Sequence, residues 1–208
     1  MVDTRILTVD DPQAIAAAKQ TIDQGGVIAF PTDTIYGVAV DAFNSQAIKA
    51  LYAAKQRPDE KALPVLIGDA HQLTQLIQHT DQRLHRIAAA FWPGPLTLIL
   101  PKKIGVPAEL SPYPTIGVRM PNLVFTLALL RETGPLATTS ANLSRGPNPV
   151  DAASVISQLG EHIDLLLDGG STPGPTASTV ADLTGPVIQI LRAGPISLAE
   201  LQSIADPG

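Results

Sequence analysis

The sequence predicts an α/β protein: a sheet with helices on its faces. Three observations point there. Apolar runs of strand length alternate with stretches whose apolar residues recur at helical spacing. Gly and Pro, 16 and 19 among 208 residues, close most of these runs. Hydrophobic residues reach 45% and charged residues only 16%, against about 25% charged in an average domain. That composition supplies a core and is the reverse of a disordered chain. The length suits one large domain or two small ones, and the absence of an internal repeat or a long polar linker favours a single domain over 1–208.

The elements follow in order. Asp11-Pro12 caps and opens a helix through Ala14, Ile15 and Ala18, stopped at Gly25-Gly26. A short apolar strand covers 27–30. Asn44 caps a second helix with Ile48, Leu51 and Tyr52 on one face. It ends by Arg57, because Pro58 disfavours helix at the residue before it. A strand covers 63–67, and Asp69 and Asp81 cap two further helices. The second presents Leu84, Ile87, Ala88 and Phe91, then breaks at Trp92-Pro93-Gly94-Pro95. Strands cover 96–100 and 115–120. Asn122 caps a helix ending at Gly134, and another strand begins at Leu136. Asp151 caps a helix ending near Gly160. Strands cover 163–167, 178–183 and 187–191. Ser197 with Glu200 forms a capping box that opens the last helix. The stretch 169–176 is a loop.

Composition excludes several functions. The net charge is −5 and the pI about 5.2, with no run of five Lys or Arg. A protein whose main task is gripping nucleic-acid phosphates looks different, although a local basic pocket remains open. The absence of Cys removes disulfides, thiolate metal sites and a Cys nucleophile. No apolar run approaches the roughly 18 residues of a membrane span, and residues 1–10 lack a signal pattern. The expected location is cytoplasmic. The common phosphate-loop, dinucleotide, zinc-protease and nucleophile-elbow motifs are missing. His71, His79 and His85 lie on polar helical segments and His162 near a strand start, so each reads as a surface residue.

A different pattern recurs: an apolar strand runs into small hydroxyl, amide or Arg residues at its carboxyl end. The strand 27–30 leads into Pro31-Thr32-Asp33-Thr34-Ile35-Tyr36-Gly37, and 116–118 into Arg119. Leu136-Ala137 leads into Thr138-Thr139-Ser140-Ala141-Asn142, and 187–191 into Arg192. Ligands of open α/β sheets collect beyond such ends. Arg119 and Arg192 sit in or against apolar strands, where an unpaired guanidinium is costly. Each needs an anion: either a structural partner such as Asp168 or Asp182, or a phosphate or carboxylate that the planar fork can clamp. Lys55, Arg57 and Lys61 cluster at a helix end. That cluster fits a favourable helix-dipole contact on a solvated face as well as an anion site. The hydroxyls of 138–140 can equally serve backbone groups in turns.

Together these segments resemble a known family. The runs GGVIAFPTDTIYGVAVDA, KQRPDEKALPVLI, WPGPLTLIL, VRMPN, TSANLSRGPNP, DGG, ST and LRAGP, over about 25–198, are similar to the Sua5/YrdC/TsaC family. The paired K-x-R (Lys55-Gln56-Arg57) and S-x-N (Ser140-Ala141-Asn142) motifs carry the match. The resemblance implies a YrdC/RibB-like fold, a twisted, mixed open sheet around a large concave pocket. It implies synthesis of threonylcarbamoyl-AMP and pyrophosphate from L-threonine, bicarbonate and ATP. That product is the donor for the t6A modification of tRNA adenosine 37. A separate tRNA threonylcarbamoyl transferase complex is the downstream partner.

Carried over position by position, the resemblance implies catalytic roles for Lys55 and Arg57, facing the triphosphate and carbamate. Thr34, Arg119, Thr138 and Ser178 would bind threonine. Arg57, Lys61, Thr115, Ser140, Asn142, Asn148 and Arg192 would bind ATP. Mg2+ would come with the ATP phosphates rather than in a protein cage. A His that some relatives use for threonine is replaced here by Leu66. The usual L-R-P-G reads Leu191-Arg192-Ala193-Gly194. The longer relatives' additional C-terminal domain is not expected, which matches the single-domain form. Two alternatives stand beside this reading. One is an RNA-binding module of the same fold, with weak tRNA or double-stranded RNA binding. The other is a different carbamoyl transfer, which the missing Cys and short length disfavour.

Overall fold

In the computed structural model, which describes residues 4–205 except 57, 59, 60, 174 and 175, every strand expected above pairs into one sheet. The strands are β1 (Arg5–Thr8), β2 (Ile28–Phe30), β3 (Gly37–Asp41), β4 (Val65–Leu66), β5 (Leu96–Pro101), β6 (Thr115–Arg119), β7 (Leu136–Ser140), β8 (Leu165–Asp168), β9 (Thr179–Asp182) and β10 (Gln189–Arg192). The helices are α1 (Ala14–Asp23), α2 (Ser45–Ala54), α3 (Leu73–Leu76), α4 (Gln82–Phe91), α5 (Val124–Thr133), α6 (Ala152–Leu159) and α7 (Leu198–Ala205). The sheet order is β1-β8-β2-β3-β7-β4-β6-β5-β9-β10.

Most caps fall where the sequence puts them. Asn44 accepts from the backbone N–H of Gln46 and Ala47 at 3.0 and 3.1 Å. Asp81 accepts from Leu84 N–H at 2.7 Å. Asp151 and Ser154 form a reciprocal box at the start of α6, as Ser197 and Glu200 do at α7. Each satisfies an N–H that the helix leaves unpaired. Two expectations need correction and a third is refined. Asn122 does not cap α5, whose N-cap is Leu123 with no side-chain bond. Asp11 accepts from Gln13 N–H, so it closes a turn before α1 rather than opening the helix. Asp69 caps a three-residue 3-10 turn, Ala70–Gln72, that leads into the single turn α3.

Two strands escaped the sequence reading. β1 lies at a sheet edge and exposes most of its residues, so it shows no apolar run. β3 is buried through Val40, so it lacks the alternation of a half-exposed strand.

The strand ends that carry the hydroxyl, amide and Arg residues line one cavity, but they do not lie along one edge of the sheet. Tracing the pairings shows that β2 and β7 run one way and β6 and β10 the other. Their carboxyl ends therefore lie at opposite edges. What these strands share is a face. On one face, Val38, Val40, Ala137, Val65, Val118 and Leu98 pack under α2, α4 and α6. On the other, Ile28, Phe30, Ala39 and Leu136 pack under α1 and α5, through Ala14, Ala18, Ile22, Leu129 and Leu130. The rest of that second face has no helical cover. There the residues are small or polar: Thr138 and Ser140 on β7, Gly117 and Arg119 on β6, Thr97 on β5. A Cβ on Gly117 would lie 3.2 Å from Ile99 and 3.3 Å from Thr97 side-chain carbons. Glycine there lets the β5 side chains close over the strand.

Gly194 tightens the turn after β10. A Cβ there would lie 2.3 Å from the backbone N of Thr179. The same turn is tied by Thr179, whose hydroxyl donates to Ile196 O and accepts from Ile196 N–H, both at 2.9 Å. Gly194→Ala is therefore expected to destabilise the protein by about 1–3 kcal/mol, the usual cost of overpacking. An unchanged urea midpoint would contradict this close approach.

Candidate functional site

The uncovered face forms the floor of a cavity of ≈ 360 Å³, within the usual size of small-molecule sites. Its polar wall begins with the segment between β2 and β3. Arg119 reaches up from the end of β6 and is only 6% exposed. Its Nε donates to Gly94 O at 3.0 Å and its Nη1 to Thr34 Oγ1 at 3.1 Å, and Nη2 pairs with Asp33 Oδ1. Burial lowers the pKa of this guanidinium, and the Asp33 carboxylate opposes that effect. The anion that Arg119 requires inside the protein is thus Asp33, rather than Asp168 or Asp182. Three of its five N–H groups are used, and the side chain still lines the cavity.

Arg192 stands across the cavity on β10. Its Nε and Nη2 donate to Ser178 O at 3.0 and 2.8 Å, and Nη2 also donates to Ser178 Oγ at 3.0 Å. Ser178 Oγ lies 2.9 Å from Thr97 Oγ1. Among the described residues Arg192 has no acidic partner. Partial burial and the like charge of Arg119 lower its pKa. Two guanidiniums that repel each other across a cavity, one with no acidic partner among the described residues, have the chemistry to receive anions. Asp168 and Asp182, the other partners considered, are engaged locally by Gly170 and Thr184.

The other expected residues divide by position. Thr34, Thr138, Ser140, Asn148 and Ser178 line the cavity with the two arginines. Thr115 begins β6, in step with Gly117 and Arg119 on the same face. Leu66 also lines the cavity, keeping that wall apolar. Lys61 lies at the surface beside the lining residues Ala62 and Leu63, and its carbonyl accepts from the Tyr52 hydroxyl at 2.8 Å. Arg57 lies outside the described residues. So do two residues of the loop 169–176.

Lys55 takes a position that its sequence role did not anticipate. It is 1% exposed and its ammonium donates to the carbonyls of Ser140 and Asn142 and, at 3.4 Å, to Asn142 Oδ1. Its own carbonyl accepts from Ser144 N–H at 3.1 Å. Ser140 Oγ donates to Asn142 Oδ1 at 2.6 Å, and Asn142 Nδ2 to Gly146 O at 2.7 Å. The K-x-R and S-x-N motifs thus meet because the lysine of one clamps the turn of the other. Asn142 is buried in this network, one layer behind Ser140.

Several site residues were not singled out in the sequence. Thr32, Asp33 and Tyr36 lie within the quoted P-T-D-T-I-Y-G segment, and Thr97 is a polar residue inside an apolar strand. The Tyr36 hydroxyl donates to Gly170 O at 2.7 Å and accepts from Gly169 N–H at 3.0 Å. Its pKa is pushed up to about 12, first by burial. The folded state therefore favours the protonated phenol. This contribution is intact below pH 10 and is lost between pH 10 and about 12. In an ultraviolet titration of the three tyrosines, one is expected to ionise near pH 12, and Tyr36→Phe should remove that step. Three tyrosines titrating together near pH 10 would contradict this environment.

A mixed sheet, half covered, whose bare face carries two guanidiniums and a row of hydroxyls defines a class: an α/β domain that holds small anionic ligands against its sheet. A family model for Sua5, YciO and YrdC, described as "Telomere recombination", matches residues 20–194, and the chain belongs to this family. A Bacillus subtilis relative named threonylcarbamoyl-AMP synthase is 40% identical over 207 residues, covering 97% of this chain and 59% of its own length. A Photobacterium profundum relative of the same name is 35% identical over 175 residues, covering 81% of this chain and 92% of its own. A Pyrococcus abyssi Sua5 structure complexed with L-threonine superimposes with a TM-score of 0.89. It is 34% identical and covers 98% of this chain and 60% of that one. No helix among the described residues is long and apolar enough to cross a membrane.

Proposed function

We propose that this chain is a threonylcarbamoyl-AMP synthase, which forms L-threonylcarbamoyladenylate and pyrophosphate from L-threonine, bicarbonate and ATP. The observation that carries this reading is the cavity with Arg119 and Arg192 on opposite walls and hydroxyls between them. All three substrates bring negative charge to one place. Their mutual repulsion is the main electrostatic obstacle, and fixed guanidiniums in a partly dry cavity offset it better than water does.

Arg119 takes the threonine carboxylate through its uncommitted N–H groups, and Thr34, Thr138 and Ser178 hold the rest of the amino acid. Threonine's ammonium gives up one proton to solvent, and the free amine then combines with bicarbonate to give an N-carboxylate and water. An oxygen of that carbamate attacks the α-phosphorus of ATP, and pyrophosphate leaves. Arg57, Arg192 and Lys61 face the phosphates, while Thr115, Ser140 and Asn148 position the nucleotide. Lys55 and Asn142 act from behind by holding the turn that presents Ser140. Among the described residues no group of three His, Asp or Glu is placed to hold a metal ion. Mg2+ enters with the triphosphate as part of the nucleotide substrate. The residues supply positioning and charge rather than a dedicated acid–base pair, and holding carbamate and α-phosphorus in line supplies much of the rate. The adenylate then serves a downstream transferase that modifies tRNA, the protein acting in the cytoplasm.

Pyrophosphate release tests this reading. It is expected only when threonine, bicarbonate and MgATP are all present. Release that persists without threonine would mean that another acceptor, or simple hydrolysis, is the reaction.

A further inference from the structure

We propose that Thr32, to which no substrate role attaches, fixes the direction of the Thr34 hydroxyl. Thr34 then offers the cavity a hydrogen-bond acceptor, which receives an N–H of the substrate's ammonium group. This inference rests on the reading above, that the ligand is an amino acid.

The direction follows from counting protons. A threonine hydroxyl has one proton and two lone pairs. The Thr32 hydroxyl lies 2.7 Å from the carbonyl of Ile35, and a carbonyl can only accept, so the Thr32 proton is committed there. Thr32 Oγ1 accepts from Thr34 N–H at 3.2 Å. Thr32 Oγ1 and Thr34 Oγ1 lie 3.0 Å apart. With the Thr32 proton already used, Thr34 must donate in that pair. Thr34 Oγ1 also accepts from Arg119 Nη1 at 3.1 Å. The result is a directed chain from Arg119 through Thr34 and Thr32 to the Ile35 carbonyl. Both threonines are buried, 4% and 6% exposed, so solvent offers little competition and each bond in the chain polarises the next.

One lone pair of Thr34 remains, and no proton. Thr138, across the same cavity, reaches the same state by a different route: its hydroxyl donates to Leu136 O at 2.9 Å, leaving only lone pairs. Two hydroxyls that can only accept, next to a guanidinium with donors to spare, complement an α-amino acid. The carboxylate meets Arg119, and the ammonium meets the oxygens of Thr34 and Thr138. Thr32 acts through Thr34 and is a positioning residue. Without its oxygen, the Thr34 proton loses its acceptor and can rotate toward the cavity, against the ammonium.

The test is calorimetric binding of L-threonine, of 3-hydroxybutyrate (which lacks the amine) and of MgATP to the full chain and to T32V and T32S. T32V is expected to weaken threonine about tenfold, the scale of one buried hydrogen bond. Its affinities for 3-hydroxybutyrate and MgATP should stay within about twofold, and T32S, which keeps the hydroxyl, should restore threonine binding. Equal loss for threonine and 3-hydroxybutyrate, no loss at all, or T32S no better than T32V would overturn the proposal. A T32V protein that fails to bind MgATP has lost its fold, and T32S against wild type then decides: a tenfold loss there refutes a role resting on the hydroxyl, and full binding supports it. Wild-type protein that binds MgATP but not threonine would overturn the functional reading itself, and this proposal with it.

Discussion

Arg119→Lys is expected to cut threonine-dependent pyrophosphate release by roughly 100-fold or more while MgATP still binds. Lysine keeps the charge but not the fork, and this guanidinium does two tasks at once. One side holds Gly94 O, Thr34 Oγ1 and Asp33 Oδ1. The other faces the cavity, where the proposed mechanism places the substrate carboxylate. A point charge on a flexible stem cannot keep all of these bonds, each charge-assisted bond being worth about 1.5–3 kcal/mol. Arg119→Ala is the more severe and less informative change. It strands Asp33, whose side chain is only 12% exposed, and an uncompensated buried charge costs about 3–5 kcal/mol. Steady-state rates, calorimetric nucleotide binding and a thermal melt separate the two effects. A lysine variant with normal threonine kinetics would show that the fork does not hold the carboxylate.

Lys55→Met is the second large effect, and its signature differs. Its ammonium lies beneath the turn, donating to two carbonyls and one amide oxygen. The variant leaves Ser140 O and Asn142 O without this donor. Stability is expected to fall by about 2–3 kcal/mol, the worth of bonds to a charged group. Activity should fall by two orders of magnitude or more, because the turn that carries Ser140, the residue we propose to position the nucleotide, loses its anchor. The loss should appear in nucleotide affinity as well as in rate, with threonine affinity changed least. A variant as stable as wild type that loses only turnover would instead place the Lys55 ammonium on the reacting groups.

The sequence announced most elements and misjudged how they are arranged. Periodicity and caps located β5, β6, α4 and α6, because apolar spacing and Asp or Ser caps are local properties. Strand direction is not local. The apolar runs before Thr34, Arg119, Ser140 and Arg192 look alike, yet β6 and β10 run against β2 and β7. The cavity is therefore a face rather than an edge, which no strand taken alone reveals. Seven of the expected site residues line that face: Thr34, Arg119, Thr138, Ser140, Asn148, Ser178 and Arg192. Arg119 and Arg192 were legible because Arg inside an apolar strand conflicts with a simple core, and Thr34, Thr138 and Ser140 because hydroxyls follow such strands, whereas Asn148 and Ser178 came from the family resemblance alone. Asp33 and Thr32 were overlooked because their contribution is to hold another group, and such pairing depends on three-dimensional contact. Lys55 was legible as important, but the sequence could not show its head turned inward.

The most direct test is the product itself. The protein is incubated with MgATP, L-threonine and carbon-13 bicarbonate, and the mixture is analysed at once by mass spectrometry. Threonylcarbamoyl-AMP carrying one heavy carbon is expected, in equal amount to the pyrophosphate released. Pyrophosphate with unlabelled adenylate, or with AMP alone and no threonylcarbamoyl product under conditions that preserve an authentic standard, would contradict the assignment.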